Sequence, residues 1–117
     1  MPSRRDQLVG EMATLIETTD EVCAVLQRYR ASSVELAERL KRGELLEDIF
    51  PAIEGPARPR EVTEVIATLE AARRQVRRSM FELGREQGLS IAEVGRQLGI
   101  SRQRASRLAI EAQPPRA

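Results

Sequence analysis

Apolar residues recur along this chain at helical spacing. Leu8, Met12, Leu15, Thr19, Val22, Leu26 and Tyr29 step by four, three, four, three, four and three. That heptad-like stripe predicts one amphipathic helix from about Arg4 to Arg30. Thr19 is its weakest rung, and Thr18-Thr19-Asp20 is where the stretch could divide. Ser32 then stands three residues before Glu35, a capping box that predicts a short second helix carrying Leu36, Ala37 and Leu40 and ending before Gly43. A third short helix is expected from about Glu44 to Phe50, with Leu45, Leu46, Ile49 and Phe50 apolar and Pro51 stopping it or bending the chain.

Gly55-Pro56-Ala57-Arg58-Pro59 cannot continue a regular helix, because two prolines and a glycine fall within five residues. It marks the boundary or hinge. Beyond it Val62, Val65, Leu69, Ala72, Val76, Met80 and Leu83 predict a second long amphipathic helix to about Gln87, with Gly88 as its C-terminal cap. A narrow apolar stripe needs a cover. The long helices can cover one another in a monomeric bundle or meet a second copy across a two-fold axis. Stripes this long in so short a chain favour a homodimer through the long helices.

The segment from Gly88 to Leu108 is the most informative. Ser90 is placed to cap a helix three residues ahead of Glu93, and Ser101 to cap another opening at Arg102. Between them Gly99 can take the left-handed conformation of a tight turn, and Gly95 is small where two helices would cross. Val94, Leu98, Ile100, Ala105 and Leu108 supply apolar side chains that can meet between the helices. Gln113-Pro114-Pro115-Arg116-Ala117 reads as a flexible tail.

In the run Leu89-Ser90-Ile91-Ala92-Glu93-Val94, followed by Leu98-Gly99-Ile100-Ser101 and then Arg102 to Leu108, the sequence resembles bacterial helix-turn-helix DNA-binding proteins. The motif is similar to those of small transcriptional regulators, sigma-factor region four and the C-terminal domains of resolvases. The resemblance covers about twenty residues strongly and the preceding helix from Arg73 weakly. Gly95 stands where alanine is usual, and Ala105 where a larger aliphatic is common. The resemblance implies a trihelical unit whose last helix, about Arg102 to Glu111, lies in the major groove of double-stranded DNA. The N-terminal half resembles no such family.

The residues make a physical case of their own. On a helix opening at Arg102, Ala105 and Leu108 face inward, which leaves Arg102, Gln103, Ser106, Arg107 and Ile110 on the outer side. Arginine can bond bidentately to guanine and glutamine to adenine, and Ile110 could touch a thymine methyl. Ser101, the first amides of that helix and Arg104 are better placed for phosphates, with Arg85 and Arg96 adding backbone contacts. The alternative is that these arginines only solvate a helix. It weighs more for Arg73, Arg74, Arg77 and Arg78, which can pair with acids such as Glu70 and Glu82. Single-stranded nucleic acid is stacked on aromatic platforms. Tyr29, Phe50 and Phe81, the only aromatics, all sit on apolar stripes where core packing is expected, so duplex DNA is preferred.

Composition narrows the chemistry further. Of 117 residues 41% are hydrophobic, 32% charged and 3% aromatic, which suits an all-α fold: a bundle of about six helices with a C-terminal helix-turn-helix unit. Without histidine there is no Ser-His-Asp or Cys-His arrangement and no imidazole ligand. No constellation of acids, nucleophiles or metal ligands emerges, so neither an enzyme nor a cofactor is expected. Cys23 has no intramolecular disulfide partner and reads as a small buried hydrophobe rather than a redox sensor. No long apolar run exists and the N-terminus is polar, so a cytoplasmic protein is expected. Every basic residue but Lys41 is arginine, which a GC-rich genome explains as readily as phosphate recognition does.

The net charge of +1 conceals a division. Residues 1–57 hold 7 basic against 11 acidic side chains, and residues 58–117 hold 12 against 7, giving −4 and +5. The expected organisation is an acidic helical region at 1–57 for dimerisation or partner binding, a DNA-binding region at 58–112 and a tail at 113–117. The expected function is a sequence-specific, dimeric transcriptional regulator. The alternative is a protein-interaction adapter, such as an antitoxin, anti-repressor or sigma-associated factor. The acidic half is also expected to keep the protein from clinging to DNA indiscriminately.

Overall fold

The computed structural model describes residues 3–53, 59–101, 103, 104 and 107. The expected hinge Gly55–Pro59, apart from Pro59, and the tail at 113–117 lie outside them. The described chain is all-helical: α1 Arg4–Lys41, α2 Leu46–Ala52, α3 Pro59–Glu86 and α4 Ile91–Gln97.

Among the described residues four helices stand where six were expected over the whole chain. The first two expected helices are one, because α1 runs unbroken through Ser32 to Lys41. No glycine or proline interrupts residues 11–41, and Ser33 stays helical by donating its hydroxyl to the Tyr29 carbonyl at 2.8 Å. The Ser32 hydroxyl caps nothing; it is buried without a partner. The capping box that operates is at the other end, where Ser3 Oγ accepts from the Asp6 amide at 3.1 Å and Asp6 returns its carboxylate to the Ser3 amide. The sixth expected helix falls mostly outside the described residues. Pro51 sits inside the last turn of α2, one residue from its end, so it neither stops the helix at Phe50 nor stands beyond it.

Three helices close on a left-handed glycine. Gly43, Gly88 and Gly99 have φ of +87°, +86° and +70°. In each case the next amide reaches five residues back: Glu44 to Arg39, Leu89 to Gly84, and Ile100 to Gly95. This is the Schellman geometry, in which the missing β-carbon removes the penalty for positive φ.

The chain forms two compact units, one of residues 1–15 with 71–117, the other of residues 16–70. Within the second unit α1 and α3 run antiparallel: Val22, Val25 and Val65 make a buried cluster with Val62 and Leu69 against it, and Arg28 pairs with Glu61 at 2.8 Å. Within the first unit the start of α1 and the end of α3 are also antiparallel. Arg4 pairs with Glu82 and Glu86, and Glu11 meets Ser79 and Gln75. Exposed ion pairs add little stability, so the buried apolar positions carry the packing.

The buried face of α1 is offset from the expected stripe. Thr18, Val22 and Val25 are buried, whereas Thr19, Leu26, Tyr29 and Met12 are exposed. Both sets share Leu8, Leu15 and Val22 and differ in the rung between them, 11, 18 and 25 instead of 12, 19 and 26. The register that presents Glu11 to Ser79 selects the first. Three donors, Ser79 Oγ, Gln75 Nε2 and Gln7 Nε2, satisfy that half-buried carboxylate, which removes the cost of placing it there. Cys23, expected to be buried, is exposed with this outer face. Of the three aromatics only Phe81 packs in a core, 3% exposed; Tyr29 and Phe50 are exposed, which corrects the expectation that all three serve core packing.

Candidate nucleic-acid interface

The C-terminal elements of the first unit are positioned by local chemistry. The Ser90 hydroxyl accepts from the Glu93 amide at 3.1 Å and starts α4. Gly99 turns the chain after α4, and the Ser101 hydroxyl then accepts from the Arg104 amide at 3.2 Å. Gln103, Arg104 and Arg107 are helical. Ser cap, short helix, left-handed glycine and second Ser cap thus follow in the expected order.

The packing beneath these elements centres on Phe81 of α3 and Val94 of α4, with Leu98 and Ile100 against them. Gly84 brings the two helices close, since a β-carbon built on it would stand 2.7 Å from Val94 Cγ2. Gly95, expected at the crossing, is buried as well. Beside Gly84 and Val94 opens a cleft of about 270 Å³ whose polar side chains are the amides of Gln87 and Gln97. It carries no charge to attract a phosphate.

Of the expected DNA contacts, Arg85 lies in the last turn of α3 and Arg96 in the last turn of α4. Both are exposed, as are Ser101, Gln103, Arg104 and Arg107. Gln103 and Arg107 are four residues apart and Arg104 and Arg107 three apart, the spacings that bring side chains together on a continuous helix. Arg102, Ser106 and Ile110 lie outside the described residues, as do Ala105 and Leu108. Ser101 spends an acceptor site on its cap, which leaves its hydroxyl proton as a donor. The Arg104 amide is taken by that cap, so a phosphate at this turn would meet only the earlier amides.

Two features were missed in the sequence. Gly84 falls inside a helical run; its signal is a glycine in the last turn of an otherwise glycine-free amphipathic helix. The second is the membership of residues 3–15 in this unit, carried by Arg4 and Glu11, polar residues that an apolar-stripe argument passes over. Glu82, expected among the partners of the α3 arginines, is bound by Arg4.

The two units divide charge more sharply than the two halves of the sequence. Residues 1–15 with 71–117 hold twelve basic and six acidic side chains, and residues 16–70 seven basic and twelve acidic, giving +6 and −5. Among the described residues no helix is long and apolar enough to cross a membrane. No protein-family model matches the chain, and neither the curated proteins nor the solved structures include a significant match.

Proposed function

We propose that the chain is a sequence-specific double-stranded DNA-binding transcriptional regulator, acting in the cytoplasm as a homodimer, with a recognition helix from about Arg102 to Glu111 entering the major groove. One observation carries the reading: a Ser90-capped helix, a left-handed Gly99 and a Ser101-capped turn lie in a +6 unit with Arg96, Gln103, Arg104 and Arg107 exposed. Gln103 and Arg107 supply base-edge contacts, while Ser101, Arg104, Arg96 and Arg85 hold phosphates. Arg102, Ser106 and Ile110 complete the surface by sequence. Tyr29 and Phe50, though exposed, belong to the −5 unit, where charge opposes stacking against nucleic-acid bases.

Support for a dimer comes from α1, where Val9, Met12, Ile16 and Leu26 stay exposed at helical spacing. Two copies related by a two-fold axis would read half-sites about 34 Å apart, or a multiple of that. The test is a titration of full-length protein against random duplex DNA at low and high salt, followed by selection of bound sites from genomic fragments. Binding that falls steeply with salt and a selected inverted repeat support the reading. No binding at low salt sinks it and leaves the protein-interaction adapter, which the exposed apolar side chains of the acidic unit favour.

A further inference from the structure

The second unit, residues 16–70, holds nine of the thirteen large apolar side chains that are exposed among the described residues. Their densest group is on α2. Ile49 is fully buried and anchors the helix, while Leu45, Leu46 and Phe50 are 59%, 48% and 56% exposed. Leu46 and Phe50, four residues apart, form one ridge, and Glu47 borders it about a quarter of a turn further from the buried side. Leu46 and Phe50, each about half exposed, leave on this short helix an apolar ridge for a partner to bury.

The charge around the ridge decides what that cover is. Glu44 is neutralised by Arg39 and Arg42, but Glu47 and Asp48 join none of the ion pairs among the described residues. The unit as a whole stands at −5. A second copy packed on this face through a two-fold axis would bring the same carboxylates and the same −5 against it. An anionic lipid surface or a nucleic acid would bring phosphates. A basic partner gains on both counts, apolar anchors on Leu46 and Phe50 and a cation on Glu47.

We propose that the α2 face is a docking site for a basic amphipathic helix of another protein, seated on the Leu46–Phe50 ridge with a lysine or arginine over Glu47. This goes beyond the DNA reading and does not need it, since α2 belongs to the acidic unit.

Two fluorescein-labelled synthetic helices with identical apolar spacing test the site, one with lysine and one with glutamate at every polar position, each titrated into the full chain and followed by anisotropy. The lysine helix binds, and more weakly as salt rises. Leu46→Ser and Phe50→Ser each weaken it about tenfold or more, and Glu47→Gln weakens it severalfold. Ile66→Ser, which removes an exposed apolar side chain of α3 in the same unit, leaves it unchanged. All four positions lie wholly or partly in solvent, and circular dichroism checks that helicity is kept. The proposal is overturned if the lysine helix does not bind, if the glutamate helix binds equally, or if Ile66→Ser costs as much as Phe50→Ser. Dissociation of a wild-type dimer by Phe50→Ser also overturns it, because the face would then belong to a second copy. Duplex-DNA binding of the same variants, measured in parallel, reports on the DNA reading separately.

Discussion

Gly84 of α3 lies so close to Val94 of α4 that a β-carbon at residue 84 would stand 2.7 Å from Val94 Cγ2, with Leu89 at 3.8 Å. Two effects compete when Gly84 becomes alanine. Helix propensity gains about 1 kcal/mol, and overpacking costs about 1–3 kcal/mol. The second wins, because valine is stiff at χ1 and cannot swing its methyl away, and because Val94 is itself buried. Gly84→Ala should therefore lower the thermal midpoint, and Gly84→Ala with Val94→Ala should be less unstable than the two single losses added. Additive losses in the double mutant would mean that the contact is not what constrains residue 84.

Glu11 and Ser79 form the polar rung of the first unit. Removing the hydroxyl leaves a half-buried carboxylate one donor short, so Ser79→Ala should cost about 1–3 kcal/mol. Replacing both partners by apolar groups, Glu11→Leu with Ser79→Ala, should restore most of that loss, since an apolar pair needs no hydrogen bond. Urea denaturation of the three variants closes the cycle. A double mutant as unstable as the sum of the singles would show no coupling between the residues.

Much of the fold was legible because its signals are local. The α3 boundary, the Ser90 cap and the left-handed Gly88 and Gly99 each follow from one residue type at one spacing. The face of α1 was not legible, because Leu8, Leu15 and Val22 are compatible with either neighbouring set of rungs. What selects among them is Ser79, sixty-eight residues away. Ser32 misled for a related reason: its cap signal is real in isolation, but Ser33 found a carbonyl one turn back and the helix continued. For the interface, the residue types were readable, while the place of Arg4 and Glu11 in the same unit depends on pairing distant in sequence.

The two serine caps separate folding from binding. Ser90→Ala removes the acceptor of the Glu93 amide, and Ser101→Ala that of the Arg104 amide. Each should cost about 1 kcal/mol of stability, and the glycine variants only a few tenths. Under the DNA reading, Ser101→Ala also loses a phosphate donor, so its DNA affinity should fall further than that of Ser90→Ala at equal stability. Equal affinities for the two would remove Ser101 from the interface.

Arg107 and Arg96 are assigned different duties and should fail differently. Arg107→Ala should weaken a selected cognate site by about 1–3 kcal/mol and affect random duplex less. Arg96→Ala should weaken all duplexes alike and reduce the slope of log affinity against log salt by about 1. Filter binding or anisotropy across a salt series distinguishes the patterns. If Arg107→Ala lowers both affinities equally, it holds a phosphate and base reading rests elsewhere.

The acidic unit as a brake on indiscriminate binding needs a different test from deleting residues 1–57. That deletion would strip Leu8, Glu11 and Leu15 from the unit that holds α4, and with them the partners of Ser79 and Gln75, so lost binding would only report lost folding. Glu17, Asp20 and Glu21 offer a cleaner route, because all three are exposed on α1 within the acidic unit. Changing them to Gln, Asn and Gln preserves size and hydrogen-bonding capacity while raising the net charge by three. If the brake operates, random duplex should bind severalfold more tightly at low salt, with the gain shrinking as screening shortens the range of the field. The cognate site should gain less, so the ratio of specific to random binding should fall. Unchanged affinity for random duplex at low salt would mean that the negative charge serves only protein contacts.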